Sequence, residues 1–261
     1  MYKHTLLVAS LIAFSFSSSA QTETGIGKSP WKVGSFGVNL GGVRDSYQKM
    51  DLSSMYDLTK NPALLDRDLT GYEEDIQRVS GGATVGFNLT LISDRGNSGW
   101  QHEIRLGGSF SSREPMIHYR QPGVDPASST NTLIYCHVVN EVNVSGAYLF
   151  RKSPKAAPWF SVYGGLGVNV GSSFNSKVMV IENSFEWDNP STSTNSASAY
   201  QAKESIFSRV YAPVGVQFQL FNHFNLGLET NIGVGMQNVI GGNSYFMPIT
   251  TGVQLLVSYS F

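Results

Sequence analysis

The C-terminal stretch MPITTGVQLLVSYSF, residues 247–261, decides the reading of this chain. Counted in twos from the end, Phe261, Tyr259, Val257, Leu255, Val253, Thr251 and Ile249 form one series. Ser260, Ser258, Leu256, Gln254, Gly252 and Thr250 form the other. Side chains of a β-strand alternate between its two faces, so one face is apolar and the other mostly small or polar. A soluble sandwich or a lipocalin-like barrel would turn the apolar face inward. A membrane barrel would turn it outward to lipid.

The front of the chain favours the membrane. Residues 1–20 have the layout of a signal peptide, with Lys3 as the charged n-region, an apolar run from Leu6 to Phe16, and Ser18-Ser19-Ala20 before the cut. Residues 21–30 then form a short N-terminal segment expected on the periplasmic side, and the single domain spans 31–261. The formal charge of −1, or −2 once Lys3 is removed, leaves no basic footprint for nucleic acid. Past the signal, no apolar run approaches the roughly 18 residues that a spanning helix needs. A chain that crosses lipid without such helices must close its sheet, because lipid cannot satisfy an open edge. The single cysteine, Cys136, excludes an internal disulfide.

Eight alternating runs are legible: about Trp31–Leu40, Gly82–Ile92, Trp100–Ser112, Leu133–Phe150, Trp159–Val180, Ile206–Phe221, Phe224–Val239 and Met247–Phe261. Links after the second, fourth and sixth runs are short. Those after the first, third and fifth are long, and the first, residues 41–81, is the longest. Short turns on one rim and long loops on the other are the habit of transmembrane barrels. The expectation is therefore all-β: an eight-stranded antiparallel transmembrane barrel in an up-and-down meander. The long loop should carry a short helix near Leu52–Lys60, with Met50, Leu52, Met55, Tyr56, Leu58, Leu64 and Leu65 as its apolar stripe. The Ser-, Thr- and Asn-rich stretch Asn183–Glu204 is expected to be a mobile loop.

The terminal strand resembles the C-terminal β-signal of bacterial outer-membrane proteins. Thr250, Gly252, Leu255 and Val257 match its polar-x-Gly-x-x-apolar-x-apolar pattern, followed by Tyr259 and the terminal Phe261. By that signal and by architecture the chain resembles the small OmpA- or OmpX-like barrels. The resemblance implies a Gram-negative outer membrane, with membrane lipid and lipopolysaccharide as surroundings and the barrel-assembly machinery as a partner during insertion. Other envelope proteins are further possible partners. It implies neither a cofactor nor a catalytic role.

Eight strands enclose a space that side chains fill. The inward series contains Glu103, Arg105, Glu141, Arg209 and Glu229. Confined charges need partners, so an internal Arg–Glu network is expected to plug the lumen. The leading functional expectation is a structural or binding role carried by the extracellular loops. The alternative is a narrow pore gated by the same network, with Arg105 exchanging partners. A lipid A-modifying enzyme is a further alternative, because His118 and His137 lie near Ser111, Ser112, Glu114 and Asp125 in sequence; no enzyme motif matches. The acidic residues of the first loop lack the fixed spacing of a calcium loop, and no metal site is expected.

Overall fold

The computed structural model describes residues 31–47, 50–75, 79–93, 99–122, 129–186 and 193–261. The expected signal peptide, 1–20, and the segment 21–30 lie outside the described residues. Among the described residues are eleven strands, interrupted by one helix and a 3₁₀ turn. They are β1 (Trp31–Tyr47), β2 (Glu73–Asp75), β3 (Val79–Ser93), β4 (Gln101–Pro122), β5 (Ser129–Lys152), β6 (Phe160–Glu186), β7 (Thr194–Gln201), β8 (Ser205–Gln219), β9 (Phe224–Val239), β10 (Tyr245–Phe246) and β11 (Pro248–Ser260).

Eight of them close a ring. β1 pairs with β3, then β3 with β4, β4 with β5, β5 with β6, β6 with β8, β8 with β9 and β9 with β11, all antiparallel. The seam is the pairing of β11 with β1, from Ser35↔Ser260 to Tyr47↔Pro248. The other three are additions at the long-loop end: β2 on β4, β7 on β6 and β10 on β9.

The apolar series faces outward. Val214 is 63% exposed and Leu166 61%, whereas Glu229, on the opposite parity, is 3% exposed. Residues of the C-terminal signal split the same way. Leu255, Val257, Tyr259 and Phe261 are exposed, while Gly252 is buried and Thr250 hydrogen-bonds into the lumen. Parity changes once in β1, where a bulge between Val33 and Ser35 lets both Val33 and Phe36 face out. At the short-turn rim the outward aromatics pack edge to face: Trp31 with Tyr148, Tyr148 with Phe150, Phe224 with Tyr259, and Tyr259 with Phe261. Such a girdle suits the membrane interface, where an apolar body and a polar tip are both accommodated.

At the other end several strands outrun the expected boundaries. β1 continues past Leu40 to Tyr47, β4 past Ser112 to Pro122, and β6 past Val180 to Glu186. The expected loop 41–81 is correspondingly shorter. It holds the helix α1 (Leu52–Leu58), close to the expected span and capped by Asp51, whose carboxylate accepts from the Ser54 backbone. The Asn183–Glu204 stretch, expected as a mobile loop, instead contains the eight-residue strand β7, laid on β6 from Lys177↔Gln201 to Ser184↔Thr194. Its small side chains sit flat on a neighbour already held in place, which supplies the order that composition alone does not.

An arginine on the lipid face at mid-strand is expected to be costly where the same residue in the lumen is not. Leu166→Arg should lower unfolding stability in lipid vesicles by about 2–4 kcal/mol, read from denaturant titration. No loss would mean that this face does not meet lipid.

Candidate functional site

The polar series lines a lumen in which four guanidiniums meet four carboxylates among the described residues. From the short-turn rim upward they form tiers. In the lowest, Arg151 grips Glu103 through Nε, and through Nη2 at 3.1 Å, while its Nη1 donates to Ser161 Oγ at 2.9 Å and to Gln217. In the next, Arg105 pairs with Glu229, which also accepts from Asn231 Nδ2 at 3.1 Å. The Tyr163 ring lies between these tiers, with the Arg105 and Arg151 guanidinium carbons each 5.1 Å from its centroid. Gly215 makes room for that ring, because a Cβ there would fall 2.5 Å from the tyrosine.

The upper tier is the most buried. Glu141 accepts from Arg209 at 2.9 and 3.1 Å and from Ser111 Oγ at 3.3 Å. Arg113 Nε lies 2.7 Å from the same carboxylate, although its N–H points off the oxygen. Arg113 also grips Asp45, whose other oxygen accepts from Thr250 Oγ1. Buried charges are tolerated only when paired and hydrogen-bonded on this scale. Between the middle and upper tiers is a cavity of about 110 Å³, lined in part by Arg105, Arg209, Asn169 and Asn231. Arg105 Nε, Arg209 Nε, Asn169 Oδ1 and Asn231 Oδ1 have no protein partner.

The structure therefore brings Arg105 to Glu229 and Arg209 to Glu141, while Glu103 is held by Arg151. Arg113, Asp45 and Arg151 were not among the expected network residues. Each shares the inward parity of its strand, so extending the alternation to the true strand ends finds them. The histidines are placed apart from one another's chemistry. His137 is buried with Nε2 2.6 Å from Ser176 Oγ, and His118 Nε2 meets Met116 Sδ at 2.9 Å. Among the described residues no group of metal-ligating side chains is present.

Above the upper tier sits an apolar cap. Met50, Met55, Leu58 and Leu65 from the first loop are fully buried against Tyr47, Ile117, Tyr119, Leu133, Tyr135, Val178, Val180, Val239 and Phe246 of the extended strands. Tyr135 Oη donates to the Leu65 carbonyl at 3.0 Å. Asp57, in α1, ties the cap to the barrel: its carboxylate accepts from the backbone of Asn243 and Ser244 at 2.9 and 2.7 Å and pairs with Lys203 at 3.3 Å. Burial pushes the Asp57 carboxyl up, but the Ser244 hydrogen bonds and the Lys203 ammonium outweigh it and hold the group below its ordinary range.

Removing the carboxylate shared by two arginines should cost more than removing one at the wetter rim. Glu141→Gln is expected to destabilise the barrel by about 3–5 kcal/mol, and Glu103→Gln by clearly less, in equilibrium unfolding. Equal losses would contradict the burial order of the tiers.

No protein-family model matches the chain, and neither does any curated protein. Among solved structures it is similar to Ail of Yersinia pestis in complex with the heparin analogue sucrose octasulfate, at 13% identity and a TM-score of 0.32, over 88% of this chain and 100% of that one. OprG of Pseudomonas aeruginosa is similar at 11% identity and a TM-score of 0.36, over 88% and 97%. The translocator domain of the autotransporter NalP from Neisseria meningitidis is similar at 10% identity and a TM-score of 0.24, over 99% and 98%. What makes this chain a membrane protein is its own geometry: a ring without a free edge across the membrane zone, an apolar exterior, a charged interior and an aromatic rim. The chain is a small, eight-stranded outer-membrane β-barrel.

Proposed function

We propose that this barrel is a closed support, which anchors a folded extracellular platform and works by binding or envelope organisation rather than by transport. One observation carries the reading: the first loop is seated on the barrel mouth, with Met50, Met55, Leu58 and Leu65 at 0–1% exposure. Long loops with a packed core of their own are usually functional. Beneath that cap, the paired tiers plug the lumen. Beside it, the Arg67–Tyr72 segment and β5–β7 frame a polar cleft of about 260 Å³ that offers a ligand surface. In the same reading, lipid and lipopolysaccharide surround the barrel, and the assembly machinery engages the Thr250–Phe261 signal during insertion.

A second reading, the narrow pore, draws support from the cavity between the tiers. Its two unpartnered donors and two unpartnered acceptors form a set that bound water matches. Planar-bilayer recording separates the two. Wild type is expected to be silent, and a variant with residues 50–72 replaced by a short Gly/Ser linker is also expected to be silent, because the tiers remain. Steady conductance in wild type that rises in Arg105→Ala would establish the pore instead.

The Asp57 latch gives a pH dependence. A carboxyl held below its ordinary value stabilises the folded cap above its unfolded-state pKa of about 3.9. That contribution is lost as pH falls through the lower folded value. A spin label on Ser53→Cys should therefore gain mobility as pH falls below about 4, and Asp57→Asn should show the loosened spectrum already at pH 7. A label equally immobile in both would remove the latch.

A further inference from the structure

One edge of the sheet is left open outside the membrane zone. Among the described residues β7 ends the strand order, laddered to β6 on one side only. The hydrogen bonds fix which of its groups face the free side. Ala202 N–H donates inward to the Ser176 carbonyl at 2.9 Å. On the outer side, Lys60 N–H donates to the Gln201 carbonyl at 3.1 Å and Lys203 N–H to the Leu58 carbonyl at 2.7 Å, around an antiparallel bridge between Thr59 and Ala202. Backbone groups alternate sides along a strand. Asn195, Ala197 and Ala199 therefore present their N–H and C=O outward, in line with an edge on which the cap already adds one antiparallel bridge.

Natural proteins blunt such edges with charge, proline or a bulge. β7 has none of these: Thr-Asn-Ser-Ala-Ser-Ala-Tyr-Gln is uncharged, almost wholly exposed and regular in register. The three outward positions are evenly spaced about Ala197. Antiparallel pairing with a second β7 sets Ala197 opposite Ala197 and Asn195 opposite Ala199 at both ends. Each pair exchanges two N–H···O bonds, and the intervening pairs set Ser196 opposite Ser198 and Thr194 opposite Tyr200.

We propose that β7 is a homotypic docking edge, at which two copies of this chain join antiparallel through Asn195, Ala197 and Ala199. The dyad of such a pair is perpendicular to the sheet, so it reverses the barrel axes. The two copies then belong to facing membranes, and the contact is adhesive between cells or vesicles rather than a dimer within one membrane. This rests on the reading that the cap end faces outside the cell.

Hydrogen-bonded antiparallel partners have Cα atoms about 5.5 Å apart, within disulfide reach. In a Cys136→Ala background in detergent, where membrane orientation plays no part, Ala197→Cys should give a covalent dimer on mild oxidation. Asn195→Cys mixed with Ala199→Cys should give heterodimers, whereas Asn195→Cys alone stays monomeric. Phosphatidylcholine vesicles carrying wild type cap-outward should cluster by light scattering. Ala197→Pro, which removes an outward N–H and spares the β6 ladder, should abolish clustering while keeping heat-modifiable migration. Monomer alone from Ala197→Cys overturns the proposal, and self-linking of Asn195→Cys overturns the antiparallel arrangement. Cross-linking in detergent without clustering of the cap-outward vesicles overturns the facing-membrane arrangement, which the conductance experiment does not probe.

Discussion

Lipid offers no hydrogen-bond partner to a peptide group, and that single constraint organises the molecule. Across the membrane zone every strand must find a neighbour on both sides, so the last strand must return to the first. The seam between β1 and β11 satisfies this over thirteen consecutive register positions. Once the ring closes, alternation leaves no freedom: the series that touches lipid must be apolar, and the polar remainder of each strand is driven into a lumen. The C-terminal signal belongs to the strand that completes the seam, so the same residues serve closure and the apolar exterior.

Driving polar residues into so small a lumen creates a second problem, which the tiers resolve by local neutrality. Each guanidinium has a carboxylate in contact, and one fully buried carboxylate, Glu141, serves two. Tyr163 and Tyr211 take up part of the remaining volume, each laid across a glycine on the neighbouring strand: Gly215 for Tyr163 and Gly167 for Tyr211. These cross-strand pairs replace a backbone weakness with an aromatic contact. Charge pairs and rings thus line the lumen in register, and a cavity remains between the middle and upper tiers.

How much of this was legible in the sequence follows from what the membrane dictates. In the membrane zone, period-two alternation marked all eight ring strands and gave Glu103, Arg105, Glu141, Arg209 and Glu229 their inward side. Outside it the signal fades, because strands in water need no apolar face. Asp45 and Arg113 therefore look like loop residues in the sequence although they continue the inward parity of β1 and β4. Arg151 sits at the rim, where the last inward residue of a strand looks like turn chemistry. The strand β7 was hidden for a related reason: its Ser, Thr, Asn and Ala carry no burial pattern, and it is ordered by its neighbour β6. Which arginine meets which carboxylate was never legible, since partners across the lumen are set by barrel shear rather than by spacing along the chain.

The same boundary separates what the fold must do from what it is free to do. An open edge such as β7 would be intolerable a few residues lower, where lipid would surround its unpaired amides. In water it costs little, because solvent satisfies those groups until another strand replaces it. The cap makes a parallel use of that freedom: it buries apolar side chains against strands that have already left the membrane, closing the mouth with no demand on the ring below. Because the ring and its tiers are complete beneath it, this upper region can vary in sequence and shape without endangering insertion. Whatever the exposed loops do, they do it in the part of the chain that the membrane does not constrain.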